Sequence, residues 1–254
     1  MKRIFSFILI FISVLMLSSC IFGEEDDGTI TIGDFVYMPL EGEDNKLRIV
    51  GISEEGREKA TIVFPSIVDG YYIDGISDKI WTSKSKLTYV SNVENVYFPA
   101  FYCDSRLDYS YNRSMETTLF ISDKNDFGLY WYTLYRRGMH IYMSYEDYIW
   151  MLTNRSYVTE NIKPANVVYY SINCEASSLE YVTFFIDDCD GTVVNVIPPT
   201  PYRKGYIFTG WYKEEECINK WDFEKDIIPA KEYDEEGNYI FEETSIYAGW
   251  EKCE

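Results

Sequence analysis

Residues 58–77 read EKATIVFPSIVDGYYIDGIS, and the core of that stretch, Ile62-Val63-Phe64-Pro65, returns in altered form three more times. The later versions are VYFP at 96–99, TLFI at 118–121 and HIYM at 140–143. Each is short and rich in β-branched and aromatic residues, so each reads as a strand. Aligned on their third residues, Phe64, Phe98, Phe120 and Tyr142 lie 34, 22 and 22 residues apart. One strand every ~20–29 residues is the period of a chain wound in stacked coils, each burying its neighbour's apolar side. The longer first interval marks an insertion in one coil. Asp69-Gly70 and Asp74-Gly75 supply tight turns, because glycine accepts the positive φ that such a reversal needs.

Working outward, the composition changes at Lys163-Pro164-Ala165-Asn166. Beyond that junction the segments VVYYSI (167–172), YVTFFID (181–187) and VVNVIP (193–198) alternate like strands. PPTPYRKGYIFTGWYKEEECINKWDFEKDII (198–228) and SIYAGWE (245–251) follow. Trp211, Trp221 and Trp250 are enough to make most of a small core. Between them EYDEEGNYIFEE (232–243) reads as an inserted acidic hairpin with Glu236-Gly237-Asn238 near its tip.

At the other end, Lys2 and Arg3 precede an apolar run from Ile4 to Leu17, and Ser18, Ser19 and Cys20 come next. A basic start, a short apolar core and small residues describe an export signal. Fourteen residues rise about 21 Å as a helix, short of the ~30 Å hydrocarbon core of a bilayer. Ile21 to Gly28, with Glu24, Glu25, Asp26 and Asp27, reads as a solvated tether.

The 254 residues include 42 Asp and Glu against 23 Lys and Arg, for a formal charge of −19. That balance argues against nucleic acid, whose polyanion needs clustered bases. A single histidine, His140, leaves little room for zinc or for Ser–His and Cys–His catalysis, and its strand-like setting suits a structural role. No GxSxG, Walker A, dinucleotide fingerprint, HExxH or CxxC occurs, so no catalytic residue, metal ligand or cofactor is expected. Asp187, Asp188 and Asp190 before Gly191 lack the downstream glutamate of a calcium loop and fit a turn better. Besides Cys20 there are five cysteines, Cys103, Cys174, Cys189, Cys217 and Cys253, an odd number with no metal-type spacing. Buried free thiols and a Cys174–Cys189 bridge between paired strands both remain open.

Three resemblances sharpen this reading. Leu17-Ser18-Ser19-Cys20 resembles the bacterial lipobox, which implies cleavage before Cys20, lipidation of Cys20 and anchoring to the outer, extracytoplasmic face of the bacterial cell membrane. The stretches 48–56 and 58–77, Lys86–Val90 and HIYMSYEDY (140–148) resemble the BspA-like leucine-rich repeats of bacterial surface proteins, without their usual "A-F" helix signature. Pro199, Pro201, Arg203, Gly205, Tyr206, Phe208, Gly210, Trp211, Tyr212, Cys217, Trp221, Asp222, Phe223, Tyr247, Ala248 and Trp250 match, in order, the internalin-type B-repeat, or Listeria–Bacteroides repeat, domain. That resemblance implies a small β-grasp-like domain, a mixed sheet with one short helical crossover.

The expected organisation is therefore a signal at 1–19, an acidic tether at 20–28, a leucine-rich-repeat-like solenoid at 29–162 and a β-grasp-like domain at 163–254. The expected fold class is mainly β with some α. The expected role is non-catalytic binding or adhesion, with a host or neighbouring surface protein, mucin or other glycoprotein as ligand. Carbohydrate capture and a structural envelope spacer are the alternatives. The ligand-binding candidates are Tyr130, Trp131, Tyr135 and Arg136, inside an aromatic cluster that runs on through Tyr132, Tyr142, Tyr145, Tyr148 and Trp150 and includes Arg137. Tyrosine and tryptophan there offer flat apolar faces with polar handles, suited to sugars or to protein hot spots.

Overall fold

A computed structural model describes residues 28–65, 67–76, 94–98, 118–122, 140–154, 161–171, 182–201, 203 and 205–253. Among the described residues the protein is mainly β, with few helices. Among the described residues no helix is long and apolar enough to cross a membrane.

The first sheet comprises β1 (Ile30–Ile32), β2 (Phe35–Pro39), β3 (Lys46–Ile52), β5 (Ile67–Val68) and β6 (Tyr71–Ile76), in the order β1-β2-β3-β6-β5. A one-turn helix, α1 (Glu54–Arg57), follows β3. The Ser53 hydroxyl caps it by accepting from the Gly56 amide at 3.0 Å. Gly56 is required there, because a Cβ would collide with the Asp34 carbonyl that passes beside the helix.

The repeated segments become β4 (Thr61–Val63), β7 (Asn95–Phe98), β8 (Thr118–Ile121) and β9 (His140–Met143). They lie side by side and parallel, and β10 (Ile162–Pro164) extends the sheet on the far side of β9. β10 thus straddles the composition shift at residue 163. Between β9 and β10 runs α2 (Tyr145–Asn154), whose Met151 is buried in the core.

The register differs from the alignment on Phe64, Phe98, Phe120 and Tyr142. Tyr97 pairs with Phe120 and Phe98 with Ile121, so the sequence alignment slips by one residue at the third segment. A slip of one exchanges the two faces of a strand. One face, with Ile62, Val96, Leu119, Ile141 and Ile162 in one row and Phe64, Phe98, Ile121 and Met143 in the next, joins Phe35, Leu47 and Ile49 of the first sheet in a common core. The rings of Phe35, Phe64 and Phe98 run through that core with successive centroids 4.7 Å apart. The other face carries the row Val63, Tyr97, Phe120, Tyr142 and Lys163, and beside it the row Thr61, Asn95, Thr118 and His140.

The C-terminal part is a four-stranded sheet of β11 (Val167–Ser171), β12 (Val182–Asp187), β13 (Tyr206–Tyr212) and β16 (Thr244–Lys252), ordered β12-β11-β16-β13. β16 runs parallel to β11 and antiparallel to β13. A two-stranded hairpin, β14 (Glu232–Tyr233) and β15 (Tyr239–Ile240), stands where the acidic insertion was read. Two local expectations fail. Residues 193–198 form no strand, and Asn195 there holds Asp187 through its amide N–H and its side chain. The crossover from β13 toward β16 holds turns rather than a helix among its described residues, closed by the Lys225 and Asp226 amides donating to the Asp222 carbonyl.

Tyr169, Phe185, Val167, Trp211, Ile228 and Ile246 make the second core, and Tyr97 and Phe120 of the parallel sheet belong to it as well. Trp221 and Trp250 pack against this core half-buried rather than filling it. Trp211 is therefore part of this core, Trp221 and Trp250 form its edge, and Tyr169 and Phe185 lie at its centre.

Candidate functional site

The seam between the parallel sheet and the C-terminal part is built on a ladder of rings. Tyr97, Phe120 and Tyr142 stand on neighbouring strands, one register row, with ring centroids 4.1 and 5.0 Å apart and nearly parallel planes. Phe185 of β12 stacks on Tyr97 at 5.3 Å. Below the ladder the Tyr97 hydroxyl donates to Asp187 at 3.0 Å, and Asp187 is fully buried. The amides of Asp188 and Asn195 donate to the same carboxyl, as do the Asn195 side chain and the Cys189 thiol.

Two open grooves flank Tyr142. One, of about 440 Å³, has the polar row Thr61, Asn95 and Thr118 on its floor and Asp188, Asn195 and Val196 on its wall. The other, of about 670 Å³, lies between α2, β10 and the hairpin and is lined by Tyr148, Leu152, Lys163, Tyr233, Asn238 and Tyr239. Tyr142 belongs to both. The divide is completed by an ion pair, Lys231 Nζ to Asp188 Oδ2 at 2.6 Å, with side chains only 17% and 9% exposed. Burial pushes the Asp188 carboxyl above its ordinary value, against the pull of Lys231. Lys231 is fixed in place, since its own amide donates to Asp190 at 2.8 Å and its ammonium lies 5.5 Å from the Tyr239 ring.

Asp188 is the one carboxylate among the described lining residues of the two grooves, and its partner is Lys231. Among the described residues no group of His, Cys, Asp and Glu could hold a metal ion. Volumes of ~300–1,000 Å³ with aromatic walls and a few polar groups are those of ligand sites.

Tyr130, Trp131, Tyr135 and Arg136, the sequence-derived candidates, lie outside the described residues, as do Tyr132, Arg137, Cys20, Cys103 and Cys174. Of the rest of the cluster, Tyr142 and Tyr148 line the grooves, Tyr145 stacks on Phe241 at 4.1 Å, and Trp150 is exposed on α2. Cys189 is a buried free thiol, and Cys217 and Cys253 are free as well. The sequence reading missed Tyr233, Tyr239, Asn95, Thr118, Lys163 and Lys231. A usable signal existed for two of these: Tyr233 and Tyr239 sit symmetrically about the turn of the acidic hairpin.

With this geometry in hand, comparison with known proteins adds one finding. Residues 188–234 match the family model of the Listeria-Bacteroides repeat domain. The match begins at Asp188 and ends just past Tyr233, so it takes in both partners of the ion pair at the seam. No curated protein and no solved structure matches the chain.

Proposed function

We propose that the chain is a bacterial cell-surface lipoprotein that binds a surface protein, mucin or other glycoprotein without catalysing a reaction. In this reading residues 1–19 are an export signal and Cys20 carries the lipid. The parallel sheet with its coils is a short leucine-rich-repeat-like solenoid, and the C-terminal sheet is a β-grasp-like repeat module. The Listeria-Bacteroides repeat match, to a surface-associated family, supports the location. The observation that carries the binding role is the tyrosine-lined groove of about 670 Å³ beside Tyr142, whose described lining residues contain no carboxylate. Such a groove offers flat rings and few charges, which suits a neutral polar ligand. Capture of carbohydrate is the second reading, favoured by the uncharged row Thr61, Asn95 and Thr118 in the adjoining groove.

Two experiments test this. Cells grown with labelled palmitate incorporate label into the wild-type protein and none into Cys20→Ala, which is released from the membrane fraction. The purified protein, probed against arrays of mucins, surface proteins and glycans, binds saturably, and Tyr233→Ala with Tyr239→Ala reduces that binding. Labelling that survives Cys20→Ala refutes the anchor. An array without a single saturable signal refutes the binding role and leaves a spacer.

A further inference from the structure

Resting on the binding role just proposed, we infer that both grooves serve one ligand: a linear, uncharged glycan lying along the seam and crossing Tyr142. The grooves share Tyr142, and the residues closing each at the divide, Asp188 and Lys231, are themselves bonded at 2.6 Å. They are therefore two halves of one track rather than separate pockets.

Each half provides what a sugar chain uses. On the solenoid side Thr61, Asn95 and Thr118 come from adjacent strands at the same register position. Hydroxyl and amide groups consequently recur at about the 4.8 Å interstrand spacing, a regular ladder facing a ligand that repeats its own hydroxyls. On the hairpin side Tyr148, Tyr233 and Tyr239 present rings to the apolar faces of sugars. Tyr142 between them is held rigid by its stack on Phe120, 5.0 Å away. A rigid aromatic anchor loses little entropy on binding.

Charge selects against acidic polymers. In the described lining the ion pair cancels itself, and Lys163 is the remaining charge. A chain of net −19 repels a polyanion at long range, and one lysine does not reverse that. The hairpin segment that carries Tyr233, Asn238 and Tyr239 also bears Glu232, Asp234, Glu235 and Glu236, which adds to the repulsion.

Calorimetric titration with neutral oligosaccharides of graded length, taken from gluco-, manno- and N-acetylglucosamine series, tests the inference, with oligogalacturonides of matched length as the acidic control. In at least one neutral series affinity rises with length and levels off once both halves are filled. For a long oligomer, Tyr233→Ala with Tyr239→Ala, and separately Thr61→Val with Thr118→Val, each weaken binding about tenfold. For the shortest binding oligomer one of the two pairs has no effect. Circular dichroism confirms that each variant is folded. The inference is overturned if affinity is independent of length, if only one pair of substitutions matters for long chains, or if the acidic series binds better. Failure of every neutral sugar overturns it too, whereas retained binding to a protein or mucin would leave the broader binding role standing.

Discussion

Asp187 has no exposure to solvent, and five donors converge on its carboxyl: the Tyr97 hydroxyl, the amides of Asp188 and Asn195, the Asn195 side chain and the Cys189 thiol. A buried polar group costs most when its partners are taken away, because it cannot return to water. Tyr97→Phe removes one donor and keeps the ring, so a loss of about 1–2 kcal/mol in urea unfolding is expected. Asp187→Ala strands several donors at once and should cost about 3–5 kcal/mol. Equal effects of the two substitutions would show that the carboxyl depends on Tyr97 alone. The same neighbourhood protects Cys189. Burial, then the nearby Asp187 carboxylate, pushes its thiol up to about 12. Since the thiolate is the reactive form, iodoacetamide at mildly alkaline pH should label the exposed Cys253 and spare Cys189 until the protein is denatured, as read by peptide mass mapping. Asp187, Asp188, Asp190 and Gly191 read as a hairpin turn, yet Asp187 ends β12 and no partner strand follows, although Gly191 does adopt φ 63°. What Asp187 does was not legible, because its partner Tyr97 lies 90 positions away and nothing local announces it.

At the scale of elements, the four repeated segments were readable as strands from composition, yet their register was not. In β8 Leu119, Phe120 and Ile121 are all buried. A strand covered on both faces loses the period-2 pattern that tells inside from outside. Phe120 therefore aligned naturally with Phe98, although it stands opposite Tyr97 and faces the other core. The distinction has a measurable consequence. Phe120→Ala should cost about 3–5 kcal/mol and loosen the contact between the sheets, since it removes the middle ring between Tyr97 and Tyr142. Hydrogen exchange should then rise in β12 as well as β8, and exchange confined to β8 would refute the shared packing. Of the candidate site, the hairpin was visible as an acidic insertion, but its tyrosines were obscured by the carboxylates around them. The polar row Thr61, Asn95 and Thr118 becomes a surface only once three segments, separated by 34 and 23 residues, are laid in register.

For the molecule as a whole, the tyrosines set the response to alkali. Burial first, and nearby carboxylates second, push Tyr37, Tyr97, Tyr142, Tyr169 and Tyr170 upward. For Tyr170 the Glu243 carboxylate, which accepts its hydroxyl at 2.8 Å, acts in the same direction. The folded protein keeps these protons while an unfolded chain releases them near pH 10. The stabilisation is thus complete below that pH and is lost as pH rises, by up to about 1.4 kcal/mol per pH unit for each group. Urea midpoints should fall steeply above pH 10, and the 295 nm absorbance of these five rings should appear only with unfolding. A folded-state titration that takes in every tyrosine, leaving no absorbance change for unfolding, would contradict the burial. Because Tyr37 sits in the first core, Tyr169 and Tyr170 in or against the second, and Tyr97 and Tyr142 at the seam, one alkaline transition should report on all three regions.

The position of β16 has a consequence in time. β11 and β13 bond to β16 and not to each other, so the strand from Thr244 to Lys252 is the keystone of its sheet. Strands made some thirty or more residues earlier must wait for it, and the aromatic ladder on the parallel sheet has no stable cover until it arrives. A stop codon before residue 244 would therefore do more than shorten the protein: it would leave β11 and β13 without the strand that joins them and the cover over Tyr97 and Phe120 unsupported, an open invitation to aggregation.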